Sequence, residues 1–190
     1  MTDKLKRAGD LTSAILGLIV LAPLFGALAL AIRLDSPGPV LFRQARVGRG
    51  GKEFTLLKFR TMRWGTPDLA TDVLQASGLD PRTRVGKALR RLSLDELPQL
   101  VNVLRGEMSL VGPRPALPSQ TTLNQKRSAL GIDALLPGIT GWAQINGRDE
   151  IPEADKVALD GYYGENRSLR LDLRILARTV APVLSGRGNH

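Results

Sequence analysis

Arg90-Arg91-Leu92-Ser93-Leu94-Asp95-Glu96-Leu97-Pro98-Gln99-Leu100 opens a helix and carries two adjacent carboxylates. Leu97, Leu100, Val101, Val103 and Leu104 recur as a helix-like apolar face. Pro98 has no backbone N–H and fits only near a first turn. Asp95 and Glu96 are therefore predicted at the positive end of that helix, where free N–H groups favour anions. A carboxylate held there should stay ionised, as a nucleophile or a metal ligand must. Ser93-x-x-Glu96 also has the spacing of a capping box, a purely structural device. By pattern alone both readings stand.

Upstream, Val85 to Arg91 reads as a basic helix leading into the acidic pair, and residues 64–83 read as a polar loop. Val40-Leu41-Phe42-Arg43 and Phe54-Thr55-Leu56-Leu57-Lys58-Phe59 read as short strands, with Val47-Gly48-Arg49-Gly50-Gly51 as the turn of a β-hairpin. That glycine-rich turn is neither a Walker loop nor a GxGxxG before a helix. Lys58-Phe59-Arg60-Thr61-Met62-Arg63 places three cations at the end of the second strand, as an exposed strand end or as a charged site.

Further upstream, Leu11 to Ile32 contains no charge. Its twenty-two residues would make about 33 Å of helix, enough for a hydrocarbon core of about 30 Å. The run is too long for a cleaved signal peptide. A spanning helix and a re-entrant hairpin both fit. Pro23 lies near the middle and would kink a helix. Lys4, Lys6 and Arg7 precede the run, and Arg33, Arg43, Arg46, Arg49 and Lys52 follow it. Positive charge on both flanks favours both in the cytoplasm, which a hairpin satisfies and a single span does not.

Downstream, Gly112-Pro113-Arg114-Pro115 fixes one arginine on a stiff turn. Leu117 to Leu130 and Pro152 to about Tyr163 are predicted helices, separated by a glycine-punctuated loop from Leu136 to Arg148 that contains Trp142, Gln144 and Asn146. Trp142 could stack on a base or fill the core. Leu169, Leu173, Leu176, Val180 and Val183 form an apolar stripe on the last helix, Leu169 to Leu184, and Arg170, Arg174 and Arg178 lie four apart on another face. That is an amphipathic basic helix fit for a membrane surface.

Composition narrows the chemistry. Of 190 residues, 27 are Lys or Arg against 18 Asp or Glu, so the net charge is 27 − 18 = +9. There is no cysteine, which excludes disulfides, thiol catalysis and cysteine-bound zinc. The single histidine is His190, which argues against Ser-His machinery. Covalent catalysis would fall to Asp, Glu, Ser, Thr, Lys or Tyr.

Leu92–Leu100, Gly106–Pro115 and Pro137–Arg148 follow one another in this order, and with Lys58-Phe59-Arg60-Thr61-Met62 they resemble the bacterial sugar transferases, or monotopic phosphoglycosyl transferases. The likeness runs from about residue 4 to 184 and is to the small, catalytic-domain-only class. It implies a mainly helical α/β fold with a short β-hairpin: a re-entrant membrane helix-break-helix over residues 1–34, broken at Pro23, and a cytosolic catalytic domain with interfacial helices over 35–190. It implies transfer of a sugar 1-phosphate from a UDP-sugar to polyprenyl phosphate, with release of UMP, at the cytoplasmic face of the bacterial inner membrane. By the same resemblance Asp95 is the nucleophile that forms a phosphoryl-aspartate. Glu96 is its partner, and the two carboxylates serve Mg²⁺. Arg90, Arg114, Lys58 and Arg60 are phosphate ligands, and Trp142, Gln144, Asn146 and Arg148 shape the nucleotide site. Membrane lipids are implied partners, nucleic acid is not, and a homodimer is left open. Ala22 stands where small members often have Ser before the proline, and Leu136 where a basic residue is common. The alternative is a membrane-anchored basic protein that binds nucleic acid or anionic lipid without catalysis. Its salt-sensitive binding would ignore Asp95, and an aromatic content of 4% supplies no stacking series.

Overall fold

A computed structural model of the chain describes residues 3–66, 80–147 and 151–185. Helix α1 (Asp3–Asp35) leads into an antiparallel hairpin of β1 (Leu41–Val47) and β2 (Glu53–Phe59). Then come α2 (Arg84–Arg91), α3 (Gln99–Arg105), β3 (Ser109–Val111), α4 (Thr121–Ala129), β4 (Gly138–Thr140), the one-turn α5 (Trp142–Ile145), α6 (Glu153–Glu165) and α7 (Leu169–Ser185). The hairpin register runs from Leu41 opposite Phe59 to Val47 opposite Glu53. Its turn uses Gly50 and Gly51 at φ of 66° and 73°, a left-handed conformation that only glycine adopts without strain.

The hub is α3. Leu100 and Val103 meet Ala14 of α1, Leu56 of β2 and Met108 in one buried cluster. Asn102, the polar residue inside that apolar run, is fully buried. Its Oδ1 accepts from Leu57 N at 3.0 Å and its Nδ2 donates to Thr55 O at 2.7 Å, which pins β2 against α3. A second cluster, of Ile32, Phe59 and Leu89, joins the far end of α1 to β2 and α2.

The segment read as a glycine-rich loop instead builds a parallel pair, with Ser109 opposite Gly138 and Val111 opposite Thr140. A Cβ at Gly138 or Gly141 would collide with the Gly112 backbone. These glycines serve close backbone approach.

Helix α1 continues through Pro23 with helical residues on both sides and no intervening loop. Its less exposed positions recur three or four apart from Asp10 and Ala14 through Gly17, Leu21, Leu24, Leu28 and Ile32, so one face follows the rest of the protein. Ile15, Leu16, Ile19, Val20, Leu30 and Leu34 are exposed on the other side. Both faces are apolar, unlike those of a helix built for water. The stripe expected on α7 divides: Asp172 and Ile175 point inward, whereas Leu169 and Leu173 are exposed along with Arg170, Arg174 and Arg178.

Candidate active site

Asp95 and Glu96 lie in a single 3-10 turn, Leu94–Glu96, ahead of α3. Ser93 enters that turn at φ 54°, and its N–H donates to Arg90 O at 3.0 Å. The capping box is therefore absent: the Ser93 N–H is committed elsewhere, and the Ser93 side chain makes no cap bond. The Glu96 carboxylate turns to cations. Lys58 Nζ of β2 donates to its Oε1 at 2.9 Å, and Arg114 Nη1 to the same oxygen at 3.4 Å.

Asp95 is buried, 8% exposed. Burial raises its carboxyl above the ordinary aspartate value, Lys58 opposes that, and the like charge of Glu96 adds to it. Desolvation outweighs the pull of one short turn and lifts the carboxyl to about 6, which still leaves it ionised at neutral pH, as expected of a nucleophile. Burial also acts to raise Glu96, but Lys58 and Arg114 outweigh it and hold that carboxyl below the usual range. Two adjacent carboxylates thus have different proton affinities. Arg90 is partly buried, its Nε donates to Thr61 Oγ1 at 2.9 Å, and its charge acts on Asp95.

The arginine of the Gly-Pro-Arg-Pro turn is held from several sides. Arg127 Nη1 donates to Arg114 O at 2.8 Å, and Arg46 Nη1 to Pro115 O at 3.0 Å. Gly138 N donates to Pro113 O at 2.9 Å. Arg127 is itself fixed by the buried Asp160 at 2.5 Å. Beside Arg114 opens a cavity of about 350 Å³, walled by Pro113, Pro115, Pro137 and Leu135 and edged by Asn124 and Ser128.

Five of the sequence-predicted cations and acids, Lys58, Arg90, Asp95, Glu96 and Arg114, meet here. Arg60 does not join them. It is buried, with its guanidinium donating to Ser36 O at 2.8 Å and to Pro37 O, so it braces the exit from α1. Strand β2 ends at Phe59, so the alternation that would align Arg60 with Lys58 is lost. Trp142 stacks on Tyr162 with ring centroids 5.3 Å apart, Gln144 Nε2 donates to Ile139 O at 3.0 Å, and Asn146 Nδ2 to Trp142 O at 2.8 Å. Those groups are used in local packing. Arg148 lies outside the described residues. Asn102, Arg127 and Asp160 escaped the sequence reading. The only signal for Asn102 was a buried-type position occupied by an amide.

Among the described residues, no three His, Asp or Glu side chains gather as a metal cluster. Mg²⁺ commonly takes only one or two carboxylates, with phosphate and water completing its shell. Asp95 and Glu96 fit that requirement.

The family model described as "Bacterial sugar transferase" matches residues 1–186. The chain belongs to that family. This sugar transferase is 49% identical over 186 residues to an undecaprenyl-phosphate glucose phosphotransferase of Komagataeibacter xylinus, covering 92% of this chain and 35% of that protein. It is 45% identical to the uncharacterized sugar transferase EpsL of Bacillus subtilis, covering 97% of this chain and 89% of that one. It is also 45% identical to a UDP-glucose:undecaprenyl-phosphate glucose-1-phosphate transferase of Caulobacter vibrioides, covering 96% and 71%. The chain thus spans about a third of the Komagataeibacter relative and most of the other two.

Proposed function

We propose that this sugar transferase moves a sugar 1-phosphate from a UDP-sugar to undecaprenyl phosphate through a covalent aspartate intermediate, as a first membrane step of surface glycan assembly. The observation that carries this reading is the buried Asp95 beside Glu96, enclosed by Lys58, Arg90 and Arg114. A carboxylate attacks phosphorus only when the phosphate charge is neutralised, and three cations at one turn supply that. The names of the Komagataeibacter and Caulobacter relatives support the lipid acceptor.

Asp95 Oδ attacks the phosphorus that bears the sugar. The bond from that phosphorus to the bridging oxygen breaks, and UMP leaves with the oxygen. An oxygen of the lipid phosphate then attacks the same phosphorus, and the Asp95–phosphorus bond breaks to restore the carboxylate. Arg114 and Lys58 hold the phosphoryl oxygens, while Glu96 keeps both cations aimed at the site. The cavity beside Arg114 offers room for the nucleoside, in place of the packed Trp142 region. Mg²⁺, held by Glu96 and Asp95, would further neutralise the diphosphate. The test uses UDP-sugar labelled in the sugar. Wild-type protein should release UMP and carry label on the aspartate. Asp95→Asn should do neither, and full activity in Asp95→Asn would overturn the mechanism.

We also propose that α1 enters the cytoplasmic leaflet of the inner membrane and returns, with both flanks inside. Two observations support this. The outward face of α1 is apolar, and both ends are bonded to one unit: Asp10 to Leu110 N, and Asp35 to Val85 N at 2.9 Å. A full crossing would break one set of those bonds. Pro23, which α1 carries within its helix, removes one N–H bond and so lowers the cost of bending there in lipid.

A further inference from the structure

Residues 6–10 precede the apolar run, and the catalytic unit holds them. Lys6 Nζ donates to Asp172 Oδ2 at 2.7 Å, and the buried Tyr163 hydroxyl donates to Asp172 Oδ1 at 2.8 Å. Arg7 Nη2 donates to Val103 O at 2.7 Å and to Leu104 O at 3.3 Å, and its Nη1 to Met108 O at 3.3 Å. Those carbonyls belong to the last turn of α3 and the segment after it, where helix geometry leaves acceptors short of partners. Asp10 is 5% exposed and accepts from Ser109 Oγ at 2.8 Å and Leu110 N at 3.2 Å. At the other end of α3, Gly17 lets α1 approach so closely that an added Cβ would sit 3.2 Å from Leu100 Cδ1. Helix α1 therefore lies against α3 at both ends, and α3 begins directly after the turn that carries Asp95 and Glu96.

We propose that Arg7 and Asp10 are positioning residues: they dock the leading end of the membrane helix onto α3 and β3, and so hold the Asp95–Glu96 turn in place. The proposal rests on the returning-helix reading above, since a segment on the far side of a bilayer could make none of these bonds. It differs from the simple charge rule. By that rule Asp10→Ala makes the flank more positive and more securely cytoplasmic, and Arg7→Lys changes nothing. By docking, both substitutions loosen the joint. A lysine offers a point charge where Arg7 presents a fork to three carbonyls, and Asp10→Ala leaves Leu110 N without its acceptor.

The experiment uses the full chain in native membranes, with the count of competent sites set by labelled donor trapped on the enzyme. Arg7→Lys and Asp10→Ala should each lower kcat about tenfold, as a displaced catalytic group does, while KM for UDP-sugar stays within about twofold of wild type. Asp10→Asn should restore turnover, because its carbonyl can accept from Leu110 N and its amide can donate to Ser109 Oγ. Wild-type turnover in Arg7→Lys and Asp10→Ala overturns the proposal. So does an Asp10→Asn variant as slow as Asp10→Ala, which would mean that charge and not hydrogen bonding matters. Thr2→Cys, in this cysteine-free chain, separates the two readings. Protection from an impermeant thiol reagent in intact cells keeps the returning helix whatever the kinetics give. Labelling from outside overturns the returning helix and the docking together.

Discussion

The turn at residues 93–98 and the segment at 137–147 look equally equipped for chemistry. One carries two carboxylates beside arginines; the other carries a tryptophan and two amides among glycines. Folding treats them in opposite ways. Glu96 faces Lys58 and Arg114 across the surface of β2, and Asp95 remains buried among charges. Trp142 lies on Tyr162, Gln144 bonds Ile139 O, and the glycines let two strands touch. Residue type alone does not make a site. A site forms where polar groups converge from separate elements, whereas groups that bond their own neighbours become packing.

The sharpest way to break this contrast is at Glu96. Glu96→Gln keeps the shape but removes the anion that aims Lys58 and Arg114. Turnover should fall at least about a hundredfold, the scale for losing one preorganised electrostatic group. Purified variant should still melt cooperatively, since Ser93 and Glu96 form no capping box. A collapse of the melting transition with normal specific activity would return Glu96 to a structural role.

Arg114→Lys tests whether the braced turn presents a fork or only a charge. We expect kcat/KM to fall about tenfold, roughly 1.4 kcal/mol of transition-state binding. Steady-state kinetics with varied UDP-sugar would measure it, and equal activity would reduce Arg114 to electrostatics.

Asn102→Ala should act on the active site through the backbone of β2. It strands Leu57 N and Thr55 O against α3, a loss of about 1–3 kcal/mol of stability. Thermal melting should shift downward, and kcat should drop by a smaller factor than in Arg114→Lys, because Lys58 remains present on a looser strand.

The smallest catalytic effect is expected in the other region. Trp142→Phe removes part of the stack on Tyr162 and should cost about 1 kcal/mol of stability. Its KM for UDP-sugar should stay within about twofold of wild type. A large rise in KM with an unchanged melting temperature would bring the nucleotide back to Trp142 and empty the contrast of meaning.

Local pattern was enough for several elements. Alternating residues around a glycine turn read as the β1–β2 hairpin. The apolar run from Leu11 read as helical, but its pattern left a single span and a helix broken at Pro23 both open, and the structure carries one helix through Pro23. Arg114 was legible because two prolines restrict its backbone whatever surrounds it. Other features were illegible for definite reasons. Strands β3 and β4 are three residues each, too short to show a period, and they pair across more than twenty residues of chain. The inward face of α7 carries Asp172, a polar residue that hydropathy assigns to water. Lys6 and Tyr163 supply its partners.

By itself, the sequence determined the family, the acidic pair, the rigid arginine turn and a helix able to enter lipid, because each depends on neighbours in the chain or on motifs in order. Only the tertiary structure decided which cations serve that pair. Lys58 reaches Glu96 because Asn102 pins β2 to α3, and Arg60, two residues further on, is spent on Ser36 and Pro37 as the strand ends. It also decided that Arg7 and Asp10 grip the helix behind the acidic pair. Hydrogen bonds and desolvation act between atoms close in space, and those atoms stand dozens of residues apart in the chain.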